Sequence, residues 1–175
     1  MRLISCVIRF VFTGNPGHLK AFDYTGPHRY FLTYCTYSRQ HLFVTRERVD
    51  LVLLQIERSA DEEQFAIIAY AFMPDHIHLL IEGLSESSDC RRFIQRAKQF
   101  SGYHYARQFS QKLWQRYGFE RVLRDDEATL VVAKYILENP VRAGLVSGVE
   151  DYPFAGSRVY SLADILEGLS TTGSG

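Results

Sequence analysis

Neither sign of charge is in excess in this chain: 20 Lys and Arg face 20 Asp and Glu, so the formal net charge is zero. That balance speaks weakly against a nucleic-acid partner, and any electrostatic recognition must come from local clustering. Cysteine is scarce. Cys6, Cys35 and Cys90 form no CxxC pair and no even set, which argues against a disulfide scaffold and a thiolate zinc site and fits a reducing cytoplasm. Long apolar runs are missing as well. The opening MRLISCVIRFVFTG is interrupted by Arg9, is followed by no small-residue cleavage site and is too short to span a bilayer, so no membrane partner is expected. Residues 1–18 read as an N-terminal extension, either an extra edge strand or a segment upstream of the domain proper. No internal repeat and no long linker divides the rest.

What is present is enough for one domain with a real core. Across 175 residues, 46% are hydrophobic and 23% charged, the profile of a globular chain rather than a disordered one. Tyrosine and phenylalanine are abundant, and such rings fill cores but also stack on unpaired bases. Charge is unevenly placed. Between Arg91 and Arg124 lie nine basic residues and a single acid, Glu120. Such a stretch is either a solvated helix face or a track for phosphates. Arg91, Arg92, Arg96 and Lys98 cluster on one predicted helix and are the best phosphate-contact candidates.

The pattern along the chain predicts a definite order. Residues 14–28 are rich in turn formers and form a lead-in loop. YFLTYCTY from Tyr30 is β-branched and aromatic, a strand. Thr45 caps a helix to about Ser59, with Val49, Val52, Leu53 and Ile56 on its core stripe. FAIIAYAF (65–72) is apolar on both faces, as a central strand requires. A Met73-Pro74-Asp75 turn returns the chain as HIHLLIE, closing a hairpin. Ser87 or Ser88 caps a long helix to about Phe109, which Gly102 weakens or kinks. A short strand covers Phe119–Leu123, and Asp125 or Asp126 caps a helix ending near Asn139, because Pro140 disfavours helical geometry before it. The order β-α-β-β-α-β is that of a ferredoxin-like split unit. The fold class is therefore α+β: an antiparallel sheet with helices on one face, plus a C-terminal helix. One domain over residues 19–165 and a disordered tail over 166–175 complete the expected organisation.

Two features carry chemistry. Side chains alternate along a strand, so HIHLLIE places Ile77, Leu79 and Ile81 on one face and His76, His78, Leu80 and Glu82 on the other. Two imidazoles at i and i+2 suit two ligands of one cation, and an apolar central strand has little other reason to carry them. A pair of partly exposed surface histidines is the plainer alternative. In LVVAKYILENP, Tyr135 and Asn139 are four apart and share a helix face, with Asn139 in the last turn. Tyr135 taken alone is as readily a core residue. Tyr103, Tyr105 and Tyr117 are rival candidates that stack on bases or pack in the core.

The ordered set MPDHIHLLIEG, a basic helix, LWQRYGFERVLRD and YILENPVRAGLV resembles the single-tyrosine HUH transposases, closest to their REP-associated tyrosine branch. The lead-in FDYTGPHRYFLTYCTYSRQHLF is similar to the same branch, and the likeness extends over roughly residues 19–155. The resemblance implies that His76 and His78 are metal ligands, that Tyr135 is the nucleophile and that Asn139 supplies the third metal-binding side chain. It further implies magnesium or manganese as cofactor, single-stranded or hairpin DNA as partner, and a 5′-phosphotyrosine intermediate with release of a 3′-OH. Imidazole ligands suit manganese better, whereas availability favours magnesium. A single copy and a homodimer that shares its active sites are both compatible with the sequence. Two other classes compete: a non-catalytic single-strand-binding module on a ferredoxin-like sheet, and a zinc hydrolase built on the histidine pair, which lacks an obvious third ligand and leaves Tyr135 without a role.

Overall fold

A computed structural model describes residues 22–123 and 128–168 of the chain. The expected 1–18 extension, the Asp125 or Asp126 cap and most of the expected tail lie outside the described residues. The elements run β1 (Arg29–Thr36), α1 (Arg46–Glu63), β2 (Phe65–Met73), β3 (His76–Gly83), α2 (Cys90–Phe109), β4 (Trp114–Val122), α3 (Thr129–Leu137), α4 (Asn139–Arg142), β5 (Ala155–Gly156) and α5 (Leu162–Glu167).

The strands pair in the order β4-β1-β3-β2-β5, each antiparallel to its neighbours. The first four positions are those of the ferredoxin-like split unit, and β5 adds a two-residue margin. The central strands β1, β3 and β2 are buried on both faces, which explains their near-continuous apolar composition. One face presents Tyr30, Leu32, Tyr34, Phe72, Ile77, Leu79 and Ile81 to α1 and α2. The opposite face presents Phe31, Ile68, Ala69, Ala71 and Leu80 to Ala133, Ile136 and Leu137 of α3 and Ile165 of α5. The C-terminal helices thus roof the sheet face that α1 and α2 leave open. A register shift between Ile67 and Ala69 turns both Ile68 and Ala69 toward that second face.

Local chemistry sets the ends. Thr45 caps α1 by accepting from the Arg48 amide, and Val49, Val52, Leu53 and Ile56 are buried as the stripe predicts. Asp89, not Ser87 or Ser88, caps α2, accepting from the Arg92 amide at 3.1 Å. Ser88 is buried instead and donates to the Gln64 carbonyl at 2.7 Å. Gly102 does not interrupt α2. Its bare backbone faces Trp114, whose indole donates to Ser101 Oγ one residue earlier at 2.8 Å. The fourth strand starts at Trp114, well before Phe119, and α5 carries ordered helix to Glu167, past the expected boundary at 165. Within the described end of the lead-in, Tyr24 is buried and its carbonyl accepts from the Cys90 amide at 3.0 Å.

Because both faces are covered, Leu79→Ala and Leu80→Ala, on opposite faces and both fully buried, should each cost about 2–5 kcal/mol. Urea denaturation measures this. A loss at Leu79 with almost none at Leu80 would mean the second face is open.

Candidate active site

Strand β3 begins immediately after a two-residue turn that is anchored from outside. The Pro74 carbonyl accepts from the Phe43 amide at 3.0 Å, and the Asp75 carbonyl accepts from the Thr36 amide at 2.9 Å and the Thr36 hydroxyl at 3.0 Å. The register with β1 then sets Cys35 opposite His76 and Thr33 opposite His78. Both imidazoles occur on the face roofed by α3, and the ring of Phe31 stacks on His78 with centroids 5.4 Å apart.

Each imidazole is held through its Nδ1. Asp75 Oδ1 is 2.6 Å from His76 Nδ1, and Thr33 Oγ1 is 2.8 Å from His78 Nδ1. The second Asp75 oxygen pairs with Arg39 Nε at 2.9 Å. Since a carboxylate can only accept, the His76 hydrogen belongs on Nδ1, leaving the lone pair on Nε2. The two Nε2 atoms converge to 3.1 Å. With Nδ1 protonated on both rings, two lone pairs would face each other, an arrangement relieved only by a proton or a cation. Burial pushes His78 down to about 3, helped by the fields of His76, Arg142 and Arg39. Burial also lowers His76, with Asp75 opposing the shift. Both rings are therefore neutral near pH 7, as ligands must be.

A divalent ion fits this pair. Two nitrogens about 2.1 Å from one ion and about 90° apart would lie about 3.0 Å from each other, close to the separation found. The Nδ2 of Asn139 is buried with no hydrogen-bond partner among the described residues. Its amide can be turned to present oxygen instead, so this residue has an unspent ligand. Among the described residues no group of three or more His, Cys, Asp or Glu could hold a metal.

Tyr135 lies on α3, half-buried. The guanidinium of Arg142 stands over its ring, 4.0 Å from the centroid, and Arg142 Nη2 donates to the Tyr135 carbonyl at 2.5 Å. Arg142 thus packs on a residue of α3, the helix that roofs the imidazole face of the sheet. Asn139 is not in the last turn of α3, contrary to expectation. That helix ends at Leu137, and Asn139 opens α4, because Pro140 has no amide hydrogen to extend the ladder. Right-handed backbone at Glu138 keeps the path nearly helical, with the Arg142 amide donating to the Glu138 carbonyl at 3.0 Å.

The structure does not bring the basic cluster to the histidines. Arg91, Arg92, Arg96 and Lys98 belong to α2, across the sheet from the pair. Arg92 and Arg96 pair with Glu63 at 3.5 and 2.8 Å, Arg96 also contacts Glu62, and Arg91 covers the Tyr24 ring. Lys98 donates to the carbonyls of Gln115 and Arg116 at 3.0 and 3.1 Å. Of the rival tyrosines, Tyr105 is core, whereas Tyr103 and Tyr117 are exposed. Sequence reasoning missed Thr33, Asp75 and Arg142. Only Asp75, adjacent to His76, left a readable signal.

The pH response of stability tests the burial of His78. An unfolded histidine titrates near 6.5, so between that value and about 3 the unfolded chain binds a proton that the folded chain refuses. Stability from this residue is complete above the unfolded value and is lost as pH falls through the window, with a slope approaching about 1.4 kcal/mol per pH unit. Urea unfolding in chelator should show His78→Gln losing less stability than the unaltered protein from pH 7 to pH 5. Parallel losses would place His78 in contact with water.

Comparison with known proteins bears on the family and the fold. The family model described as "Transposase IS200 like" matches residues 26–139, a span holding both histidines, Tyr135 and Asn139. A Haemophilus influenzae protein named as a REP-associated tyrosine transposase is 29% identical over 145 residues, covering 76% of this chain and 81% of the relative. A solved REP-associated tyrosine transposase bound to a REP hairpin matches with a TM-score of 0.65 at 22% identity, over 79% of this chain and 81% of that one, a likeness of fold. With a family match over well over half its length and a sheet of the same fold, the chain belongs to the IS200-like transposase family.

Proposed function

We propose that this chain cuts and rejoins single-stranded DNA at hairpin-forming repeats, with Tyr135 as nucleophile and a magnesium or manganese ion held by His76, His78 and Asn139. The observation that carries this reading is the convergence of two neutral imidazole Nε2 atoms, 3.1 Å apart, on the sheet face roofed by the Tyr135 helix. The similar solved structure is bound to a REP hairpin, which supports hairpin DNA as the partner.

The chemistry follows from these groups. When bound, the ion supplies charge neutralisation at the nonbridging phosphate oxygens and orients the phosphate. Asp75 and Thr33 hold the imidazoles so that no rotamer search precedes binding. The Tyr135 phenol oxygen bonds to phosphorus as the P–O3′ bond breaks. The phenolic proton is lost to solvent, the 3′ oxygen takes up a proton, and a 5′-phosphotyrosine remains. Reversal by another 3′-OH rejoins the strand without an external energy source, because the phosphodiester is exchanged rather than hydrolysed. Arg91 on α2 is a candidate phosphate contact. Arg92, Arg96 and Lys98 would have to exchange their Glu62, Glu63 and backbone partners for phosphate.

Tyr135→Phe should fold and bind hairpin DNA but form no covalent adduct, read on a denaturing gel with end-labelled DNA and manganese. Tyr103→Phe and Tyr117→Phe should keep the adduct. An adduct with Tyr135→Phe would move the nucleophile elsewhere. Chelator, or His76→Ala and His78→Ala, should abolish cleavage while leaving most of the binding. Full cleavage by the doubly substituted protein would refute the metal role.

A further inference from the structure

Arg142 touches Tyr135 in two ways that serve different ends. One guanidinium nitrogen donates to the Tyr135 carbonyl at 2.5 Å, in the last turn of α3, where carbonyls lack an intrahelical partner. The same planar group stands 4.0 Å from the centroid of the phenol ring. Glu138, one turn away on the same path, pairs with its other terminal nitrogen at 3.4 Å, and the backbone amide of Arg142 is tied to the Glu138 carbonyl. The cation is thus held over the ring by a carbonyl, a carboxylate and its own backbone. A helix-end role alone needs only the carbonyl contact and no particular placement over the ring.

Placement over the ring has a chemical consequence. When a phenol oxygen attacks phosphorus, negative charge grows on that oxygen and spreads into the ring. A cation against the ring face is attracted to the neutral ring and more strongly to the charged one. We infer that Arg142 is a positioning residue for the transfer step: it sets the ring of Tyr135 and holds positive charge where negative charge develops. This rests on the reading that Tyr135 is the nucleophile. Arg142 does not itself form or break a bond.

The experiment compares the unaltered protein with Arg142→Lys, Arg142→Gln and Arg142→Ala in single-turnover adduct formation with manganese and hairpin-bearing single-stranded DNA. The readouts are the rate constant at saturating DNA, the half-saturating DNA concentration and the melting temperature. Arg142→Gln keeps a donor for the Tyr135 carbonyl but no charge. It and Arg142→Ala should lower the saturating rate constant by about tenfold or more, with half-saturation within about threefold. Arg142→Lys, which keeps the charge but not the flat stacking group, should recover a substantial part of that rate. An unchanged saturating rate with a lower melting temperature overturns the inference in favour of a helix-end role. Raised half-saturation at an unchanged saturating rate overturns it in favour of a DNA contact. A fast Gln variant beside a slow Lys variant removes the role of charge. No adduct from the unaltered protein overturns both this inference and the nucleophile assignment, whereas an adduct lost in Tyr135→Phe but formed at an unchanged rate by every Arg142 variant overturns this inference alone.

Discussion

The site depends on the register of β3 between β1 and β2. Side chains alternate with period two, so a slip of one residue would turn His76 and His78 into the α1 and α2 core and move Ile77, Leu79 and Ile81 to the other face. Both alternatives bury polar rings without partners or strip the core of its largest layer. The register is fixed from both sides. Thr36 grips the Asp75 carbonyl with its amide and hydroxyl, and the shift at Ile67 and Ala69 absorbs the mismatch on the β2 side. The same pairing that builds the core therefore sets Thr33 beside His78 and brings Asp75 to His76.

Burial does the rest. An exposed histidine pair would be part-protonated near neutrality, and the protonated fraction repels a cation. Here desolvation keeps both rings neutral, while Asp75 and Thr33 fix them through Nδ1. Arg39 shares the Asp75 carboxylate, so the acid that orients His76 is itself held. The ring atoms left to act are the two that face each other.

Much of this was legible in the sequence, for physical reasons that differ by element. The stripe of α1 and the doubly buried β2 and β3 announce themselves because packing demands periodicity, and the His-x-His face follows from alternation alone. The start of β4 did not, because it is an edge strand whose Arg116, Tyr117 and Gly118 are exposed and carry no apolar pattern. The α2 cap is not legible because Ser87, Ser88 and Asp89 are all competent caps, and tertiary contacts decide among them. Pro140 signals the split between α3 and α4, which falls two residues earlier than Asn139 because α3 ends at Leu137. Tyr135 and Asn139 share a helix face by their spacing of four, but it is the family resemblance that gives them roles. Thr33 lies 45 positions from His78, and only the sheet joins them.

The double roof over the sheet also gives the site a direction. Along the imidazole side of β3, exposure falls from the part-exposed His76, through 6% at His78, to zero at Leu80. Exposure returns at Glu82 on the same side, so this side of β3 is sealed at its middle, and His78 lies between that seal and the part-exposed His76. The imidazoles sit on the Pro74–Asp75 side of that seal, so a group that approaches along the strand from the turn meets His76 before His78.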